Sequence, residues 1–109
     1  MAVTTNTMNQ AGGIVNRASG MLVTDSGTAA ALTITLGFDP AVVIFHNVTD
    51  RISDEWYAGM ANAASLHTVA VGTRTLELVN GITPVAKGFS VNATTMLASK
   101  EFHWEATGA

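Results

Sequence analysis

Three groups of residues in this chain carry side chains able to do chemistry. Asp25-Ser26-Gly27 places a carboxylate at a turn, just after the apolar residues Leu22 and Val23. Two such carboxylates, one from each copy in a homodimer, would share a proton and activate water. The tripeptide is also ordinary turn chemistry, because Asp hydrogen-bonds its own backbone two residues on and Gly accepts positive φ. The turn is the preferred reading. His46, His67 and His103 are candidate metal ligands, but they lie on different expected strands. Nothing in their spacing makes three groups converge, so no metal is expected. Asp50, Arg51, Asp54 and Glu55 form the densest charge cluster. A carboxylate pair there would suit glycoside hydrolysis, yet adjacent acids in a loop are ordinarily solvated. No residue is assigned a catalytic role. No cofactor is expected either, since Gly12-Gly13 lacks the strand-to-helix setting and following lysine of a phosphate loop.

Composition narrows the classes further. With 109 residues the chain makes one domain, small enough that self-association would help to bury apolar area. Only 12% of residues are charged while 48% are apolar, so much of the surface must be Thr, Ser, Asn and backbone. The net charge of −3 is scattered, without a Lys/Arg cluster, which argues against nucleic acid as a partner. Cysteine is absent, removing disulfides, thiolate nucleophiles and cysteine-ligated zinc together. No apolar run approaches the roughly 20 residues of a membrane helix, and no basic, then apolar, leader opens the sequence. Neither membrane insertion nor export is expected. Asn47-Val48-Thr49 and Asn92-Ala93-Thr94 fit the glycosylation triplet, but by chance without such a leader.

The elements that must position these residues are strands. Residues 36–60 read as strand, charged turn, strand. Asp39-Pro40 fixes a boundary, and β-branched and aromatic residues then run to Val48. Val42, Ile44, His46 and Val48 share one face, Val43, Phe45 and Asn47 the other, so this strand is expected to be covered on both sides. His46 is read as a hydrogen-bonded core or interface histidine, and His103, alternating with Phe102 and Trp104, as exposed beside Glu101 and Glu105. Residues 49–54 form the polar turn, and Trp56 and Tyr57 resume the extended chain. Residues 29–36 alternate, with Ala30, Leu32, Ile34 and Leu36 on one side. Strands are also expected over 21–24, 67–71, 73–79, 82–85, 89–91, 95–98 and 102–106, with a turn or loop over 60–65. Asn80-Gly81 is the standard dipeptide of a two-residue hairpin, and Pro84 marks an edge or a strand end. Residues 1–20 lack periodicity and are read as an extended N-terminal arm whose order depends on a partner. The expected fold is all-β: a single-domain β-sandwich, jelly-roll-like, over 21–109, with the arm over 1–20.

The absence of a catalytic cluster favours binding. A charged loop beside Trp56 and Tyr57 offers rim charge around an aromatic anchor, with both aromatics as ordinary core or strand residues the equal alternative. The residues expected to contact a partner are Asn9, Gln10, Ile14, Val15 and Arg17 in the arm, and Asp50, Arg51, Asp54, Glu55, Trp56 and Tyr57 in the loop.

Gly37-Phe38-Asp39-Pro40, the apolar strand, Asn47-Val48-Thr49-Asp50 and Glu55-Trp56-Tyr57-Ala58-Gly59-Met60 occur in an order that resembles small structural proteins of tailed bacteriophages. Matching patterns follow over 68–76, 80–83 and 88–91, covering about half of the chain. Within that group the resemblance is to capsid decoration, cement or staple proteins. It implies a jelly-roll-like sandwich without enzymatic activity, working as a homodimer or homotrimer. It implies the major capsid protein as partner and the outer surface of the phage head as location, after synthesis in the host cytoplasm. Avidity over several capsid subunits would then reinforce the shell. Two other readings are carried forward. One is a carbohydrate-binding sandwich on the virion surface, stacking sugars on Trp56, Tyr57 or Trp104. The other is a dimeric aspartic protease using Asp25, whose Asp-Ser-Gly matches that family's signature.

Overall fold

The computed structural model of the chain describes residues 3–10 and 16–108, with side chains for 3–5 and 16–108. Among the described residues there is no helix. Nine strands follow one another: β1 (Val3–Gln10), β2 (Arg17–Thr24), β3 (Leu32–Thr35), β4 (Pro40–Asn47), β5 (Ile52–Tyr57), β6 (Ala64–Thr68), β7 (Arg74–Val85), β8 (Gly88–Val91) and β9 (Glu101–Gly108). All join one antiparallel sheet in the order β1-β2-β9-β4-β5-β6-β7-β8-β3.

The sheet curls. β8 lies four places from β4 in the sheet order, yet Phe89 of β8 meets Phe45 of β4 edge-on, with ring centroids 6.4 Å apart. Phe89 also meets Trp104 of β9 at 5.5 Å, and Phe45 stacks on Phe102 at 5.3 Å. Only a sheet that bends back over its own face brings these rings together. The driving force is the apolar alternation of the inner face. Leu22, Val43, Phe45, Trp56, Phe102, Trp104 and Ala106 come from one half of the sheet, and Ile34, Ile82, Phe89 and Val91 from the other.

The expected strand at 29–36 is shorter than its alternation. β3 begins at Leu32, and Ala30 is exposed, but Ile34 and Leu36 are buried as the pattern requires. β4 is covered on one face rather than two. Val43, Phe45 and Asn47 are buried, whereas Val42 and Ile44 are half-buried and His46 is exposed. The apolar run there is longer than a single-sided strand needs, which is why its sequence reads as two-sided. Residues 92–97, overlapping the strand expected over 95–98, instead form a turn in which Asn92 Oδ1 accepts from the N–H groups of Thr94 and Thr95, with Met96 dropped into the core.

No hairpin forms at Asn80-Gly81. β7 runs through both residues, and the reversal comes later, at Ala86 and Lys87, where Lys87 takes φ 60° and Val85 faces Gly88. Gly81 is needed for a different reason. A Cβ there would lie 2.4 Å from the carbonyl carbon of Ala64, so only glycine lets β6 and β7 pass so closely. The pairing of these strands jumps from Ser65↔Glu77 to Ala64↔Ile82, leaving residues 78–81 as a wide bulge.

Residues 3–10 are not a free arm, and the boundary expected at residue 20 falls inside β2. β1 pairs with β2 from Val3↔Thr24 to Gln10↔Ala18, and β2 pairs with β9 from Arg17↔Thr107 to Val23↔Glu101. Neighbouring strands supply the hydrogen bonds there, so a segment of Thr and Asn with no apolar period is still extended and paired.

Candidate functional site

The β4–β5 hairpin decides where the charged cluster points. Its turn spans residues 48–51, with Arg51 at φ 58°, so Ser53, Asp54 and Glu55 belong to β5 rather than to a loop. Asn47 holds the turn from inside. Its Oδ1 accepts from the N–H of Asp50 and its Nδ2 donates to Asp50 Oδ2, both at 3.0 Å. Lys100 Nζ donates to Asp50 Oδ1 at 3.0 Å, and this bond holds the Asp50 carboxyl below the usual range. Asp50 is thus committed within the molecule, while Arg51 is exposed.

In β5 the period of two sends Asp54 and Trp56 inward and Glu55 and Tyr57 outward. Val43↔Trp56 and Phe45↔Asp54 are the matching pairs on the inner face. Trp56, expected either as a partner anchor or as a core residue, is only 4% exposed and donates its indole N–H to Ala61 O at 3.4 Å. Asp54, expected at a rim, is 2% exposed. Its Oδ1 accepts from Ser65 Oγ at 2.7 Å and from His67 Nδ1 at 2.8 Å. Both side chains are turned to the inner face of the sheet. Tyr57, at 39%, remains available; its hydroxyl donates to Glu55 Oε2 at 2.7 Å, which pushes the phenol's pKa up. Arg74 Nη2 reaches Glu55 Oε1 at 3.5 Å.

Among the arm residues, Arg17 opens β2, is exposed and pairs with Glu105 at 3.3 Å. Asn9 and Gln10 lie in β1, with side chains outside the description; Ile14 and Val15 lie outside the described residues. Asp25 behaves as turn chemistry predicts: its Oδ1 accepts from the N–H of Gly27 at 3.0 Å. Trp104 is buried like Trp56, so of the three aromatics considered for sugar stacking only Tyr57 reaches the surface.

Two juxtapositions were not legible in the spacing. His46 and His103 stand directly opposite each other across β4 and β9, on the outer face, in a concavity of about 450 Å³ that Ser19, Met21, Ile44 and Glu105 also line. Each ring is tethered at one nitrogen: His46 Nδ1 lies 2.7 Å from Ser53 Oγ, and His103 Nε2 donates to Glu101 Oε2 at 2.7 Å. Two imidazoles are half of an ordinary coordination set, and among the described residues no three His, Asp or Glu side chains gather to hold a metal. The second is a cleft of about 200 Å³ on the opposite side of the sheet, lined by Asn47, Asp54, His67, Glu77, Asn80 and Thr95. Here Ser65 bonds to Asp54 instead of to His67, so buried Asp54 and Ser65 and half-buried His67 form a polar tie between β5 and β6 and not a nucleophile with its base.

Glu77 shapes the β7 bulge. Its Oε2 accepts from the N–H groups of Leu78, Val79 and Asn80 at 3.1, 3.1 and 3.3 Å, and these bonds hold its carboxyl below the usual range. The bulge so fixed turns Leu78 and Val79 outward, next to Leu76, which precedes it opposite Leu66. Leu76, Leu78 and Val79 are 59%, 62% and 69% exposed, and Val71 in the preceding turn is 88% exposed. No family model, no curated protein and no solved structure matches the chain.

Proposed function

We propose that this chain is a structural protein of a tailed-phage head that binds the outer surface of the capsid and reinforces the shell by bridging major capsid protein subunits. It works without catalysis, as a homo-oligomer made in the host cytoplasm and carried on the virion. In this reading the curled sheet is a jelly-roll-like sandwich whose two halves face each other. The N-terminal segment is the gripping element.

The observation that carries the proposal is β1. It is an eight-residue strand at the end of the sheet, with β2 on one side and no strand on the other among the described residues. Such an edge presents a row of backbone donors and acceptors able to pair with an extended segment of a neighbouring chain. Its sequence, VTTNTMNQ, is uncharged, which suits contact with a shell assembled from many identical subunits. The charges elsewhere are largely tied internally, as in Arg17 with Glu105, Arg74 with Glu55 and Lys100 with Asp50, so the outer surface is close to neutral.

Sedimentation tests this directly. Purified protein should pellet in a fixed ratio with expanded shells of the phage whose genome carries the gene, and a variant lacking residues 1–15 should keep its β-sheet circular dichroism while losing most of that binding. Protein that stays in the supernatant, or a truncated form that binds as well as the intact chain, sinks the proposal.

A further inference from the structure

The β7 bulge leaves a second free edge inside the sheet. Residues 74–77 pair with β6 on one side, but β8 joins β7 only from Ile82 to Val85. Among the described residues no strand lies on the other side of residues 74–77. This short edge carries Leu76, Leu78 and Val79, all more than half exposed, and Val71 projects beside it from a turn set by Gly72 at φ 93°. A water-facing edge is ordinarily guarded by lysine or proline. Residues 69–79 contain neither, and Pro84 sits beyond, in the half of β7 that β8 covers.

We infer that this edge is where a second copy of the chain docks, by antiparallel pairing of residues 74–77 with their own equivalents about a two-fold axis. Charge singles out the occupant. The two charged residues on the edge are already committed: Arg74 reaches Glu55 Oε1 and donates its Nε–H to Thr68 Oγ1 at 3.2 Å, and Glu77 is held by three backbone N–H groups. What remains for a partner is an apolar row beside a strand edge, with no net charge to answer. The same surface on another copy supplies both features, an apolar row and an unpaired edge. A two-fold axis satisfies each edge with the other and closes the assembly, so no fibre propagates. Leu76, Leu78 and Val79 then become mutually buried. Glu77 is a positioning residue here: by gathering the three N–H groups it fixes the bulge that turns Leu78 and Val79 outward.

The pairing does not depend on capsid binding and is read on the purified, intact chain. Sedimentation velocity over a roughly hundredfold range of concentration should show a reversible monomer–dimer equilibrium. Leu78→Lys, and more strongly Leu76→Lys with Leu78→Lys, should weaken it by about tenfold or more while circular dichroism and melting stay close to those of the parent. Because the chain has no cysteine, single substitutions also report on geometry. Thr75→Cys or Leu76→Cys should oxidise to a covalent dimer far faster than Val48→Cys, an exposed control in the β4–β5 turn. A chain that is monomeric throughout overturns the inference. So does an oligomer indifferent to the lysine substitutions, or cross-linking at residues 75 and 76 no faster than at 48. If dimers form but shells are not bound, the pairing stands and the capsid reading fails.

Discussion

Glu77 shows how much a single side chain decides here. A carboxylate accepting from three consecutive N–H groups is a strong local tie, because each bond is charge-assisted. Its folded pKa is held below its unfolded value, so the stabilisation is complete above the unfolded pKa and is lost as pH falls through the folded one. Stability to urea should therefore decline below roughly pH 4, more steeply in the parent than in Glu77→Gln, which has no carboxyl to protonate at that position. Identical acid slopes for the two proteins would remove Glu77 from this role. Trp56 teaches the opposite lesson about residues. Its type suggests an anchor, but one position along a strand separates the core from the surface, and the pairing Val43↔Trp56 puts it in the core. Tyr57, its neighbour, is the aromatic that a partner can touch.

At the scale of elements, β6 and β7 are set by an approach only glycine permits. Gly81→Ala would drive a Cβ to 2.4 Å from the Ala64 carbonyl carbon, and backbone must move to relieve it. The expected cost is about 3 kcal/mol, the upper part of the usual range for overpacking. Chemical denaturation measures it, and amide exchange should show the lost protection concentrated in residues 63–66 and 78–83. A loss under roughly 0.5 kcal/mol, as for an ordinary surface substitution, would contradict the close approach. Much of the element list was legible: β4, β8 and β9 lie where β-branched and aromatic runs place them, and Pro40 opens β4 as its fixed φ requires. Asn80-Gly81 misled for a physical reason. The dipeptide tolerates a tight turn, but it equally tolerates a bulge beside a close backbone contact, and only the neighbouring strand selects between them. β1 was illegible because VTTNTMNQ carries no apolar period, and its extended backbone is set by pairing with β2.

The whole molecule depends on the curl. Phe45 touches Phe102 within its own half of the sheet and Phe89 across the fold, so it joins both halves. Phe45→Ala should cost about 3–5 kcal/mol, and because it also removes the cross-fold contact, near-ultraviolet circular dichroism should fall before far-ultraviolet signal does. A melting temperature close to that of the parent would mean that the halves are held by other contacts. The polar tie of Asp54, Ser65 and His67 begins opposite Phe45, since Asp54 is its cross-strand partner, and braces β5 against β6. Among the described residues free edges run along β1 and the four-residue β3 at the ends of the sheet and along residues 74–77 within it.

The sequence by itself determined that the chain is all-β and that its charges are sparse. Those properties follow from composition and from the period of two, which need no partner strand to be read. The tertiary structure alone decided which face of each strand is inside, that His46 stands against His103, that buried Asp54 and Ser65 bond together with half-buried His67, and that β7 bulges to expose Leu78 and Val79 beside Leu76. Each of these depends on strand register. A shift of one residue exchanges the two faces of a strand, and register is set by contacts between segments tens of residues apart, which no local pattern records.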